Sequence, residues 1–280
     1  MKNVCTLYLQ RNLPDVTNAF GDHFLKWNDD ISDFYVIESG SDKDNLSKFK
    51  DRTFYADWPD AVQNGLRFCR GFNYGLIEMQ KLAKNYEFIV LAFGDTELFD
   101  EPTIEILMEE MDRYPKMGII TPTSPRWGDD INKSFHDRDT VAHWLTPHVF
   151  WMFRTEYINQ VAEQNNDFTF MNYFYDGNNF RGYDADTEMI LKAYQNDWFF
   201  AVTRKASHNE RHDLTVDNYK LMKTEPYNVH KSLMWDEGMK WLKQKYGFDG
   251  KQQMRHLVMS HFVAFFQRNP ELMDLPGRFI

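Results

Sequence analysis

Acidic side chains at two places in the sequence have the types and spacing needed for metal binding and proton transfer. Asp95 and Glu97 directly follow an apolar run and are separated by one residue. Carboxylate oxygens are ligands that Mg²⁺ and Mn²⁺ favour, and such a cation commonly bridges a protein to a diphosphate. Asp184, Asp186 and Glu188 open a later helical pattern, where one carboxylate could serve as a general base. Taken separately, the two groups also fit an acidic turn and an acidic helix start.

Short apolar runs predict the strands that position these carboxylates. Because the runs alternate with helical patterns, they predict an α/β fold with a mostly parallel sheet and ligands at the carboxyl ends of its strands. This rule singles out residues 38–42, residues 94–97 and the region before the helix at Asp184. The predicted strands are Val4–Leu9, Phe34–Glu38, Arg52–Ala56, Phe88–Phe93, Met117–Thr121, Val149–Phe153 and Trp198–Val202.

Helical patterns fill most of the intervals between these strands. Glycines in the pattern from Pro59 to about Lys84 predict a break or a close backbone approach at residues 70–75. A helix begins at Pro102, and Thr155 is predicted to cap another. The remaining predicted helices are residues 184–196, 233–246 and 254–266, and residues 123–139 and the region of His208 are predicted to be polar loops, the first lying over the site.

Composition restricts the classes of function. The 280 residues allow one main domain, and the formal net charge of −10 argues against a broad grip on nucleic acid, though not against an anionic small molecule held by a metal. The sequence has no apolar run long enough to span a membrane and no signal-peptide pattern, so a cytosolic protein is expected. Cys5 and Cys69 lie in apolar runs and are expected to be reduced and buried.

Four stretches, in this order, resemble the family-two inverting glycosyltransferases with the GT-A fold. They are FYVIESGSD at 34–42, RGFNYGL at 70–76, FIVLAFGDTELF at 88–99 and GYDADTEMILKAYQNDW at 182–198. The resemblance covers roughly residues 3–210 and implies a Rossmann-like GT-A domain at 1–214 followed by a helical extension at 215–280 that packs on it. Glu38 stands where the family usually has an Asp that contacts the nucleotide base, which leaves the base open.

The resemblance implies a site for a UDP-, GDP- or dTDP-sugar. Its candidate nucleotide-sugar-binding residues are Gln10, Asn12, Glu38, Ser39, Gly40, Ser41, Arg70, Asn73, Gly94 and Asp95. Mn²⁺ or Mg²⁺ would be held by Asp95, with Glu97 and His208 as further candidates. Asp186 best matches the family's catalytic base, and Asp184 and Glu188 compete for that role. The implied reaction transfers a sugar with inversion to an acceptor hydroxyl, as in glycan or surface polysaccharide synthesis.

Several alternatives stay open at this point. A nucleotidyltransferase shares this type of sheet, but the first strand ends in Gln10, Arg11 and Asn12 and not in a glycine-rich phosphate loop. A catalytically silent sugar-binding protein is the other alternative, because a fold does not establish activity. Polysaccharide, lipid-linked precursor, protein and, least of all, DNA are compatible acceptors. The aromatic segments 143–153 and 173–183 predict either a platform for the acceptor or core packing. The segment Trp235–Tyr246 predicts either a peripheral membrane contact or a helix that packs on the main domain.

Overall fold

A nine-stranded sheet organises the part of the chain that the computed structural model describes, which is residues 3–99, 101–127, 133–135 and 137–277. The spatial order of its strands is β3-β2-β1-β4-β8-β6-β9-β5, with β7 paired to β9. The strands are β1 (Val4–Gln10), β2 (Ser32–Ser39), β3 (Thr53–Ala56), β4 (Phe88–Phe93), β5 (Thr96–Leu98), β6 (Met117–Thr123), β7 (Thr140–Ala142), β8 (Phe150–Arg154) and β9 (Phe199–Glu210).

Helices connect the strands and flank the sheet. They are α1 (Pro14–Asn28), α2 (Pro59–Asn64), α3 (Arg67–Gln80), α4 (Thr103–Arg113), α5 (Thr155–Asn165), α6 (Ala185–Gln195), α7 (His212–Asp217), α8 (Tyr227–Tyr246) and α9 (Lys251–Arg268). The first four strands in space, β3, β2, β1 and β4, are parallel, and so are β6 and β9. The predicted α/β class with a mostly parallel sheet is therefore confirmed.

The strand β8 departs from this parallel arrangement. It lies between β4 and β6 and is antiparallel to both. Because of this direction, β8 begins at the edge where β4 ends: Phe150 pairs with Ala92, and Arg154 pairs with Phe88. The residues that precede β8 are consequently brought to the carboxyl ends of β1, β2 and β4.

The central strands are buried along their whole length, and helix α3 packs closely on them. Every residue of β1 is buried, as are the first five residues of β4. A Cβ atom at Gly71 would lie 2.6 Å from a methyl carbon of Leu9, and one at Gly75 would lie 2.1 Å from Cδ1 of Ile37. The two glycines, one helical turn apart, thus let the α3 backbone approach β1 and β2.

Of the two alternatives predicted for residues 70–75, the close backbone approach is confirmed, and the break in the helical pattern lies earlier, at Gly65 and Leu66. Two other local predictions need correction. The polar loop predicted around His208 is wrong, because β9 continues to Glu210. Thr155 is the first helical residue of α5 and makes no cap; Arg154 occupies the N-cap position.

The last two helices pack against the α/β part of the chain. Phe262 and Phe265 of α9 contact the ring of Tyr194 on α6, with centroid distances of 5.4 and 5.6 Å. Trp241 of α8 is buried, although Trp235 on the same helix is 49% exposed. Among the described helices, none combines the length and apolarity that crossing a membrane requires.

Substitution of Gly75 by alanine tests the close approach of α3. We expect Gly75→Ala to lower the free energy of unfolding by about 1–2 kcal/mol, because overpacking costs about 1–3 kcal/mol and the better helix propensity of alanine returns up to ~1 kcal/mol. Urea denaturation measures the change. Ile37→Val removes the obstructing Cδ1, so the double variant should be more stable than the sum of the single effects predicts. Additive effects would show that the two residues do not collide.

Candidate active site

A cavity of about 240 Å³ opens where β1, β2 and β4 end. Three of the predicted nucleotide-sugar-binding residues, Gln10, Ser39 and Gly94, line it. Its other lining residues come from the strand ends, from the start of α3, from the loop before α6 and from the chain after β9; they are Leu9, Arg11, Leu13, Gly65, Arg67, Phe68, Phe93, Arg181, Thr215, Met222, Thr224 and His230. The cavity lies where ligands bind in open α/β sheets.

Glu38, the candidate contact of the nucleotide base, is 1% exposed and held in place by neighbours. The side-chain amide of Gln10 donates a hydrogen bond to Oε2 of Glu38, and the backbone N–H of Ser47 donates to Oε1 at 2.9 Å. Burial raises the pKa of Glu38, and these hydrogen bonds oppose the rise. The carboxylate therefore sits in a polar pocket beneath the cavity rim.

The loop after β2 is shaped by hydrogen bonds with the end of β1. Ser41 accepts a hydrogen bond from the backbone N–H of Asn12 at 3.0 Å, and the Asn12 side chain accepts one from the N–H of Asp42 at 2.7 Å. Ser39 accepts a hydrogen bond from the N–H of Leu66 at 2.7 Å. Gly40 has a φ of +73°, and a Cβ there would lie 1.8 Å from the carbonyl oxygen of Ala61. The predicted residues at 12 and 39–41 thus set the backbone of the rim.

Arg70 and Asn73 face a different part of the molecule, the loop between α5 and α6. Asn73 is fully buried, and its amide makes four hydrogen bonds of 2.8–3.0 Å with backbone groups of Phe170, Phe174 and Tyr175. Arg70 donates to the carbonyl oxygen of Gly177 at 2.8 Å. Both side chains fasten this loop to α3, and neither lines the cavity.

Asp95 contacts His212, which in turn contacts Glu210, and neither of these two residues was predicted from the sequence. Nδ1 of His212 lies 3.2 Å from Oδ2 of Asp95, and its Nε2 lies 3.1 Å from Oε2 of Glu210. Hydrogen bonding to Asp95 raises the pKa of His212. Oδ1 of Asp95 is buried without a hydrogen-bond partner among the described residues. Carboxylate and imidazole groups are residue types that bind divalent cations, but here the imidazole lies between the two carboxylates, so the three groups do not surround one point.

Glu97 and His208 lie on opposite faces of the β5–β9 pair. Glu97 accepts hydrogen bonds from Asn209 at 2.8 Å and Arg211 at 3.2 Å, and it lines an open groove beside α1. His208 is fully buried against the ring of Trp127, and burial lowers its pKa to about 4. Within the described ranges, no three His, Cys, Asp or Glu side chains are already arranged as metal ligands.

Asp184 occupies the N-cap position of α6, and Asp186 lies in its first turn. Asp186 accepts a hydrogen bond from the backbone of His148, which precedes β8 and packs on Phe68 of the cavity wall. Burial and the negative charge of Asp184 raise the pKa of Asp186 to about 6. Burial also raises the pKa of Asp184, which adopts a left-handed φ of +56°. Asp186 therefore titrates near neutral pH, as a general base requires.

Glu188, the third candidate base, is 1% exposed and belongs to a buried charge cluster. Lys245 of α8 lies 2.8 Å from Glu188 and 2.7 Å from Asp176, and the Tyr246 hydroxyl donates to Glu188 at 2.6 Å. Burial raises the pKa of Glu188, but Lys192 and Lys245 outweigh it and leave that pKa below its usual value. This carboxylate joins α6 to α8.

Most of the large aromatic side chains in segments 143–153 and 173–183 pack in the core. Trp151, Phe153, Phe174 and Tyr175 are fully buried in the main core. His148 stacks on Trp151 at a centroid distance of 4.4 Å. These rings therefore form part of the core on which His148 packs.

Sequence reasoning missed the cationic residues Arg11, Arg67 and Arg181 around the cavity, as well as Glu210 and His212. Arg11 carried a signal, because it follows β1 directly at the edge where ligands are expected. Arg67 and Arg181 are distant in sequence and meet only through the packing of α3 on the loop before α6. His212 follows His208 by four residues, and spacing does not distinguish the two.

Solved structures resemble the chain, whereas no family model and no curated protein matches it. The mannosyltransferase PcManGT from Pyrobaculum calidifontis, in complex with GDP-Man and Mn²⁺, superposes with a TM-score of 0.55 at 11% identity over 94% of this chain and 74% of that one. S. aureus TarS 1-349 superposes with a TM-score of 0.52 at 12% identity, over 98% and 82%. GalNAc-T7 with UDP, GalNAc and Mn²⁺ gives 0.58 at 10% identity, over 97% and 57%.

These structural neighbours are GT-A glycosyltransferases, and the chain has their fold. Both the mannosyltransferase and GalNAc-T7 were solved with Mn²⁺. At identities of 10–12% the likeness defines the fold alone, so activity has to be argued from the residues of the site.

Removal of the charge of Asp186 or of Glu188 on α6 is expected to have different effects on the stability of the folded protein. Glu188→Ala should lower the free energy of unfolding by about 3 kcal/mol, because it removes the buried partner of Lys192 and leaves Lys245 with Asp176 alone. Asp186→Asn should leave stability at pH 7 unchanged or higher, since a raised carboxyl pKa means that the ionised form is disfavoured in the folded state. Urea denaturation compares the two. A large loss from Asp186→Asn would assign that residue a structural role.

Proposed function

We propose that the chain is a metal-dependent inverting glycosyltransferase, which transfers a sugar from a nucleoside-diphosphate donor to an acceptor hydroxyl. The observation that carries the proposal is the position of Asp186. It is a carboxylate with a pKa of about 6 that accepts a hydrogen bond from the backbone of His148, and the His148 ring packs on Phe68, which lines the cavity where β1, β2 and β4 end. In a chain with the GT-A fold, this is the arrangement that glycosyl transfer needs.

Asp186 would act on the acceptor. The acceptor hydroxyl attacks the anomeric carbon of the donor sugar, and Asp186 takes its proton as the new bond forms. The bond from the anomeric carbon to the diphosphate breaks on the opposite face, so the anomeric configuration inverts. With a pKa of about 6, Asp186 is mostly ionised at pH 7 and remains basic enough to accept the proton. Asp184 keeps that pKa high through its charge and would act as a positioning residue.

The second part of the proposal concerns a divalent cation, Mn²⁺ or Mg²⁺. We propose Asp95 as its main ligand, because one Asp95 oxygen is buried without a partner among the described residues, and Glu210 and His212 as further ligands that would have to rearrange to reach the same ion. When bound, such a cation offsets the charge that develops on a departing diphosphate. Glu97 and His208 remain predicted ligands, and metal titration of their variants tests them.

The donor would lie with its nucleoside over the rim formed by residues 38–42. Gln10, Ser39 and Gly94 line the cavity, and Glu38 lies beneath with its carboxylate held by Gln10 and Ser47. UDP-, GDP- and dTDP-sugars are the proposed donors. The neighbours support this choice, since PcManGT was solved with GDP-Man and TarS with UDP-GlcNAc.

We propose a glycan, such as a surface polysaccharide, as the acceptor. In this proposal residues 1–214 form the catalytic domain, and residues 215–280 form a helical extension. Lys245 and Tyr246 of that extension hold Glu188, two residues after the proposed base, so the extension would fix the position of α6.

Donor hydrolysis tests the proposed reaction. We expect slow, Mn²⁺- or Mg²⁺-dependent release of nucleotide from one donor among UDP-, GDP- and dTDP-sugars. Asp186→Asn should reduce the rate by about 10²–10⁴-fold, the usual contribution of a general base. Asp95→Asn should raise the metal concentration needed for half-maximal rate. Glu156→Gln, which alters an exposed carboxylate at the opposite edge of the sheet, is the control and should match the wild type. Metal-independent turnover, or full activity in Asp186→Asn, would contradict the proposal.

The pH dependence of the rate tests the assignment of the base. The rate should fall about tenfold per unit below pH 6, because protonated Asp186 cannot accept a proton. Asp184→Asn removes a neighbouring negative charge, so the pKa of Asp186 should fall and the acid limb should move to lower pH. Complete loss of activity in Asp184→Asn would instead make Asp184 the base.

A further inference from the structure

Three arginines converge on the cavity, although the chain as a whole is acidic. Arg11, Arg67 and Arg181 all line it. The guanidinium carbons of Arg67 and Arg181 both lie 5.6 Å from the centroid of the Phe180 ring, which holds the two groups near each other. This is an anion-binding arrangement, because guanidinium groups match the oxygens of carboxylates and phosphates.

Arg11 has hydrogen-bond donors that lack acceptors among the described residues. It is 5% exposed, and its Nη2 donates to the carbonyl oxygens of Val62 and Gln63 at 2.7 and 3.2 Å. Its Nε and Nη1 are buried and have no hydrogen-bond partner among the described residues. A buried, unpaired donor on a cation is costly. The free donors of Arg11 therefore indicate that the cavity can bind an anion that also reaches this guanidinium.

The anion now present is the carboxylate of Glu225, which lies between the ends of α7 and α8. It contacts Arg67 at 2.9 Å and Arg181 through its other oxygen, and His230 lies 3.5 Å away. Burial raises its pKa, but hydrogen bonds from its own backbone and Arg181 and the charge of Arg67 hold that pKa at about 2. Glu225 is therefore ionised, and it forms ion pairs with two of the three arginines, Arg67 and Arg181.

The segment that carries Glu225 is fastened over the cavity at two further points. We call residues 218–226 the plug segment. Lys223 lies 2.5 Å from Asp42, and the carbonyl oxygen of Leu221 accepts a hydrogen bond from Asn12 at 2.7 Å. Both partners belong to the rim of the proposed donor site.

The plug segment narrows the cavity. Pockets for ligands of drug size occupy about 300–1,000 Å³, whereas this cavity measures about 240 Å³. Met222 and Thr224 of the plug segment form part of its wall. Movement of this segment would therefore enlarge the space that a nucleotide sugar can occupy.

We propose that Glu225 is an internal substitute for the donor diphosphate, which displaces it and binds Arg11, Arg67 and Arg181. This inference rests on the proposed function for the identity of the ligand. A diphosphate has more oxygens and more charge than one carboxylate, so it can also reach Arg11. The plug segment thereby keeps the site closed until a donor binds. The affinity for the donor then depends on competition between its diphosphate and the Glu225 carboxylate.

Calorimetric titration with inorganic pyrophosphate and with UDP tests the competition. Glu225→Gln should bind both at least about tenfold more tightly than the wild type, because the competing charge is gone and the arginines remain. Asp236→Asn alters an exposed carboxylate on the neighbouring helix α8 and should bind as the wild type does. The double variant Arg67→Gln with Glu225→Gln should lose the gain, and it leaves no unpaired Glu225 to disturb folding.

Hydrogen–deuterium exchange in the wild type supplies an independent measurement. Pyrophosphate should speed exchange of the plug-segment amides, because displacement of Glu225 removes a tether. Equal or weaker binding by Glu225→Gln, unchanged exchange, or no pyrophosphate binding by any variant would overturn the inference. Metal-dependent donor hydrolysis can persist in those cases, and the proposed function would then stand. Conversely, tighter pyrophosphate binding by Glu225→Gln without turnover of any donor would support the anion exchange and count against the transferase.

Discussion

Complete burial of the central strands is the constraint on which the rest of the structure depends. β1 is buried at every position and β4 at all but its last, and neither strand contains a charged residue, so carboxylates and turns occur only beyond the points where these two strands end. Gln10, Glu38 and Asp95 stand at three such points, and parallel pairing brings the three ends to one edge. The glycines of α3 strengthen this constraint, because they let the helix backbone approach the strands that carry the site.

Helix α6 shows how partners, and not spacing, give two carboxylates different properties. Asp186 and Glu188 are two residues apart, and both are removed from water to a large extent. Glu188 has Lys192 and Lys245 beside it and is kept ionised, so it contributes to packing. Burial raises the pKa of Asp186, and the negative Asp184 beside it raises that pKa further. The same helix therefore provides a stable attachment to α8 and a carboxylate suited to proton transfer.

The sequence predicted the strands well, because continuous apolar runs such as Phe88–Phe93 have few other uses in a chain of this kind. It did not predict the antiparallel direction of β8 or the extension of β9 through His208, since strand pairing depends on distant residues. The same limit applies to the site. Asp95 could be selected from its place after a strand, whereas its contact with His212 depends on how the chain turns after β9.

Net charge likewise predicts little about the field at one site. The chain carries a formal charge of −10, yet three guanidinium groups surround a cavity of about 240 Å³. Acidic residues on the plug segment and α8 balance two of these groups, since Glu225 and Glu237 both contact Arg181. Among the described residues, Arg11 has no carboxylate partner, and its guanidinium donates hydrogen bonds to carbonyl oxygens. Arrangements that leave a buried cation unsatisfied persist only where the surrounding packing enforces them, and such strain concentrates at sites that bind a ligand.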